Sequence, residues 1–90
     1  MKILHLTLHR KYYDEILSGI KTIEFRKIKP YWERRLDNRK YDYIHFVNGY
    51  GKDKPWMDVE LIRIEKEDVY YEEYKLHLGK VLRSGNLRIV

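Results

Sequence analysis

The chain has no cysteine, and that absence removes several possibilities at once: a disulfide framework, a thiolate metal site and a cysteine nucleophile. It also favours a reducing compartment, and the expected location is cytoplasmic. No apolar run approaches the roughly 20 residues that span a bilayer, so no membrane segment is expected. Residues 1–8 alternate in polarity and meet charge at once, which reads as a strand and not as a secretory leader. Motifs of group transfer are missing as well. The phosphate loop G-x-x-x-x-G-K-[ST] is not matched, and neither Ser18 nor Ser84 lies in a G-x-S-x-G elbow. His5 and His9 are four apart, but on a strand that spacing separates them by about 13 Å, so they do not form a zinc pair. No metal and no cofactor are expected, and no internal repeat or low-complexity tract occurs.

What is present is one domain's worth of chain. Its 90 residues are 37% charged and 43% hydrophobic, with nine tyrosines among thirteen aromatics, which suits a small core under a highly polar surface. Residues 1–90 are therefore taken as a single domain. The net charge of +5 is unevenly placed: residues 9–40 hold ten Lys or Arg against five Asp or Glu, and residues 41–90 hold eight against nine. A basic surface of that kind attracts polyanions, nucleic acid above all, although solubility alone also explains an excess of cations.

In chain order, residues 2–8 form a first strand with Leu4, Leu6 and Leu8 on one face. A helix over about 10–18 follows, with Tyr13, Ile16, Leu17 and Ile20 at the i, i+3, i+4, i+7 positions of one side and Gly19 suited to close it. His9, between the two, is expected near the mouth of a site or capping the helix. The next strand covers about 21–28. Pro30 then opens a short helix to Leu36, in which Trp32 and Leu36 share a face and Arg34 and Arg35 face solvent. Residues 41–48 read as a central strand, ended by the Asn48-Gly49 turn signal and a polar loop through Pro55. A fourth strand over about 57–65 shifts its pattern midway, which suggests a bulge. The acidic stretch from Glu65 to Glu73 is expected as a turn or short helix with Val69 and Tyr70 or Tyr71 packing inward. A fifth strand runs from about 74 to 79 or 82. Residues 83–90 are expected as a loop or flexible tail, in which Leu87, Ile89 and Val90 offer a sixth, edge strand.

Ser18 to Lys27 carries the densest chemistry. Its period changes there from helical to two-residue, so Thr22, Glu24 and Arg26 point to one side of a strand and Ile23 and Phe25 to the other, with Lys21 at the corner. The spacing Gly19, Lys21, Glu24, Arg26 resembles the G-x-K-x-x-E-x-R signature of the ASCH family, small domains related to PUA RNA-binding domains. The likeness extends to the Ile-Leu-Ser-Gly helix end and to Tyr-Lys-Leu-His-Leu-Gly-Lys-Val-Leu at 74–82, and so covers residues 1 to about 82.

The resemblance implies an α+β fold: a small, mostly antiparallel, PUA-like β-barrel of five or six strands with one main helix and a short second one. It also implies a cleft at the helix-strand corner that holds RNA, another single-stranded nucleic acid or a modified nucleoside. Lys21 and Arg26 suit a phosphate or base carbonyl, and Glu24 suits an exocyclic amine. His9, Asn48 and Tyr50 are further candidates, with Arg34, Arg35, Lys52 and Lys54 for the backbone phosphates. Two other readings stand beside this one. A bacterial subgroup of the family hydrolyses N4-acetylcytidine with a Lys, a Thr and a Glu. Lys21 matches that lysine, Glu24 occupies the threonine's position, and the glutamate has candidates in Glu60, Glu65, Glu67, Glu72 and Glu73. An amidohydrolase would then use Lys21 as base and Glu24 as proton shuttle. The third reading is a protein-protein adaptor, and the plainest account of Glu24 and Arg26 is an ion pair on a strand rim.

Overall fold

The computed structural model describes residues 1–50 and 53–86 and contains two helices and one five-stranded sheet. In chain order the elements are β1 (Ile3–Leu8), α1 (Arg10–Leu17), β2 (Ile23–Lys27), α2 (Pro30–Leu36), β3 (Tyr43–Asn48), β4 (Trp56–Glu67) and β5 (Glu73–Gly85). The sheet order is β1-β3-β4-β5-β2. Only β1 and β3 pair in parallel; the other three ladders are antiparallel. This is a small α+β fold whose sheet curls into a half-barrel. Its two edge strands approach each other without a backbone ladder among the described residues: Arg26 Nη2 on β2 donates to the Thr7 carbonyl on β1 at 3.3 Å. A side chain bridges the seam that a sixth strand or a closed ladder would otherwise fill.

Alternation builds the core. Leu4 and Leu6 line up with Ile44 and Phe46 and then with Val59 and Met57, while Leu8 faces Asn48. The concave face so formed is completed by Tyr74, Leu76 and Leu78 of β5, by Tyr13 and Ile16 of α1 and by Leu36 of α2. At about 25 cal/mol per Å² of apolar area removed from water, each large side chain here contributes roughly 1.5–3 kcal/mol. Trp32 packs against this cluster, as its shared face with Leu36 predicts. Gly19, with φ of +85°, closes α1 where a side chain would be strained. Ile20 lies beyond that cap and is exposed, so the apolar stripe of α1 ends at Leu17. The midway shift in β4 is a run of register irregularities between Asp58 and Arg63, the bulged bend that a curled sheet needs.

Two expectations change. β5 continues through Arg83 and Ser84 to Gly85, which pairs with Trp56, so 83–85 is strand and not loop. The stretch after β4 is neither helical nor buried: Val69, Tyr70 and Tyr71 are exposed at the tip of the β4–β5 hairpin. The cause is local, because the Glu67 carboxylate accepts the N–H groups of all three, at 3.1, 3.1 and 2.7 Å, and so fixes a turn. On β2 the alternation holds but charge faces inward. Glu24 and Arg26 pair in register with buried Leu76 and Tyr74, whereas Phe25 is exposed. The Leu87, Ile89 and Val90 edge strand, with Gly51 and Lys52, lies outside the described residues.

Candidate functional site

The seam between β1 and β2 opens into a cleft of about 770 Å³. The chain positions it by three local devices. The left-handed Gly19 turns α1 into β2, and Lys21 N–H donates to the Glu15 carbonyl at 3.0 Å, which sets Lys21 at the corner. Strand alternation then places Glu24 and Arg26 on the side facing the seam. At the far wall, Gly49 takes a positive φ of +86° and its N–H donates to the Leu8 carbonyl at 3.1 Å, so the Asn-Gly turn ties the ends of β3 and β1 together.

Glu24 is the centre. It is only 4% exposed, and a carboxylate so far from water needs compensation. Lys21 Nζ lies 3.3 Å from one oxygen and Arg26 Nη2 lies 3.0 Å from the other. Aromatic faces hold both cations: Lys21 sits 4.8 Å from the Tyr12 ring centre and 5.3 Å from that of Phe25, and the Arg26 guanidinium 5.3 Å from that of Trp32. Arg26 divides one nitrogen between Glu24 and Thr7. Its Nε is buried without a partner among the described residues. A planar donor is therefore held in place with its buried Nε–H unused, beside a carboxylate that has lone pairs to spare.

Of the residues singled out from the sequence, His9, Lys21, Glu24, Arg26, Asn48 and Tyr50 all line this cleft. His9 does so from the N-cap position of α1, where its backbone is extended and its side chain makes no capping bond. Arg34 and Arg35 do not reach the cleft. They sit in the last turn of α2, and Arg35 stacks at 3.7 Å on the Tyr31 ring and donates to the Tyr31 carbonyl. Lys54 is exposed and is not among the lining residues; Lys52 falls outside the described residues. Sequence reasoning missed Thr7, Arg10, Tyr12 and Phe25, which also line it. Tyr12 had one readable signal, being an aromatic on the polar side of α1 next to buried Tyr13; Phe25 had none, since it shares the Ile23 side of β2 and is exposed there.

A second polar cluster lies on the convex face. Buried Asp58 accepts from Arg83 Nε and shares a hydrogen with His45 Nδ1, both at 2.6 Å, and the His45 ring stacks on Trp56. These side chains satisfy one another across β3, β4 and β5. Among the described residues, no group of three or more His, Cys, Asp or Glu is placed to hold a metal ion, and no helix is long and apolar enough to cross a membrane. No protein-family model matches the chain, and no curated protein or solved structure does either.

Proposed function

We propose that the chain is an ASCH-type, PUA-like domain and that its Lys21–Glu24–Arg26 cleft binds a nucleobase, carried by single-stranded RNA or as a modified nucleoside. One observation carries the reading: Glu24 is buried between two cations while the Arg26 Nε–H beside it has no partner among the described residues. A buried unpaired donor costs roughly 1–3 kcal/mol, and a small shift of the Arg26 side chain toward a ligand's acceptor would relieve it. A base edge supplies such an acceptor next to an exocyclic amine, which Glu24 receives. The rings of Tyr12, Phe25 and Tyr50 at the rim offer stacking surfaces, and a volume of about 770 Å³ lies within the range of small-ligand sites. Lys21 is engaged by Glu24 and by two rings, which suits a positioned cation better than a mobile proton carrier, so binding is preferred to amide hydrolysis.

Titrations of wild type against short RNAs and a nucleoside panel, at several salt concentrations, test this. Lys21→Ala and Arg26→Lys change which base is preferred. Arg34→Ala and Arg35→Ala, on an exposed helix outside the cleft, lower affinity for every sequence and flatten the salt slope by about 0.7 each. Should the cleft variants bind every RNA as wild type does, the three residues are a structural ion-pair cluster. Turnover of an acylated cytidine, lost in Lys21→Ala, moves the assignment to a hydrolase.

A further inference from the structure

β4 is longer than its neighbour. β3 covers it only as far as Glu60, and among the described residues no strand flanks it from Leu61 to Glu67 on that side. A bare strand edge is a template for another chain. Beside it lies a groove of about 540 Å³, floored by Leu61, Ile62 and Ile64 and walled by the segment that follows α2. Ile62 is 61% exposed. Arg39 and Lys40 stand on the wall with no ion pair among the described residues, and Arg63 stands on the strand, 3.5 Å from Glu65. Lys66 is already matched, by Asp37 at 3.1 Å and Glu33 at 3.4 Å. The groove is thus apolar with a cationic surplus, and it shares no residue with the nucleobase cleft.

The same hairpin carries the opposite surface. Residues 67–73 read Glu-Asp-Val-Tyr-Tyr-Glu-Glu, with four acids and no Lys or Arg. Tyr70 is 86% exposed, and Val69 and Tyr71 are likewise turned to solvent. They are not there through slackness, since the Glu67 carboxylate holds three successive amides. Aromatic side chains on a fixed turn lose little freedom on docking, which is what makes tyrosine an effective anchor.

We propose that two copies of the chain associate through these hairpins, the acidic tyrosine tip of each seating in the basic apolar groove beside β4 of the other. The match of charge and apolarity between tip and groove selects a second copy as the occupant. A two-fold arrangement uses both contacts at once, and edge meets edge between the tips. The contact is small, so the dimer forms in the micromolar range and weakens with salt.

Sedimentation velocity over about 1 to 300 µM protein, at low and high salt, measures it. Wild type shifts from monomer to dimer across that range, with less dimer at high salt. Ile62→Lys places a charge on the open edge and Tyr70→Ser removes the anchor. Both positions are exposed, so thermal stability is kept, and each lowers the association constant by about tenfold or more. Mixed one to one, the two variants recover a weaker dimer, because one intact tip then meets one intact groove. A chain that stays monomeric throughout the range, or one whose association neither substitution changes, overturns the proposal.

Discussion

Glu24→Gln separates the electrostatic role of the cleft from its shape. The substitution keeps the side chain's size and one acceptor but leaves Lys21 and Arg26 facing each other across a neutral group. Removing one partner of a fully buried ion pair costs about 3–5 kcal/mol, whereas exposed pairs are worth about 0–1 kcal/mol. This trio lies between those limits: Glu24 is out of water, while the side chains of Lys21 and Arg26 remain 17% and 21% exposed. A loss of about 1–3 kcal/mol follows, and it appears as a lower urea midpoint at unchanged slope. The same change makes the cleft more positive by one charge, so affinity for every polyanion rises and the salt dependence steepens. Discrimination between bases falls, because the amide keeps one acceptor but loses the carboxylate's charge and second acceptor, so an exocyclic amine is received more weakly. Stability and selectivity thus move down while non-specific affinity moves up. A stability change below about 0.5 kcal/mol with unaltered base preference would refute the reasoning and leave Glu24 as a spectator.

Two further outcomes test the framework around the cleft. The Tyr13 hydroxyl is buried without a partner among the described residues, so Tyr13→Phe raises stability by about 0.5–2 kcal/mol, the regained desolvation less a small void. Burial, with a smaller contribution from Asp14, pushes that phenol from 10.0 up to about 12. Its contribution is therefore complete below pH 10 and lost as pH rises to about 12, and the variant shows a shallower alkaline decline in thermal midpoint. At the hairpin tip, N–H bonds from Tyr71 first and then Tyr70 hold the Glu67 carboxyl below its usual 4.5. The bonds persist as pH falls past 4.5 and are lost only below that, so hydrogen exchange at Val69, Tyr70 and Tyr71 stays slow past the point where free carboxylates protonate. In Glu67→Ala those amides lose their protection, measured against the intrinsic exchange rate at each pH, across the whole range.

How far the sequence carries depends on how far apart the deciding residues are. α1 and β2 were legible because each is set within a few residues: the 3.6 period of Tyr13, Ile16 and Leu17, the glycine after them, and the two-residue period beyond. Lys21, Glu24 and Arg26 belong to that single unit, so their convergence could be read without knowing the fold. Asn48 and Tyr50 were readable through the Asn-Gly turn. Thr7 was not, because its carbonyl meets Arg26 only when the sheet curls until its two edges approach, and curvature arises from the irregular register of β4 and β5. The inward charge on β2 has the same origin. An edge strand of an open half-barrel turns its inner face partly to core and partly to seam, so polarity pattern alone cannot tell which side Glu24 occupies. Arg34 and Arg35, read as solvent-facing phosphate contacts, stand outside the cleft: a run of cations on a short helix reports charge but not direction, and Arg35 turns onto Tyr31. At the tip, Val69 and one of Tyr70 or Tyr71 were assigned inward on hydrophobicity. A carboxylate at Glu67 able to collect three amides outweighs that preference, because no core lies within reach of a hairpin that outruns β3. Exposed tyrosines on a braced turn are then a surface the fold maintains, which is why they are the residues to mutate when association is measured.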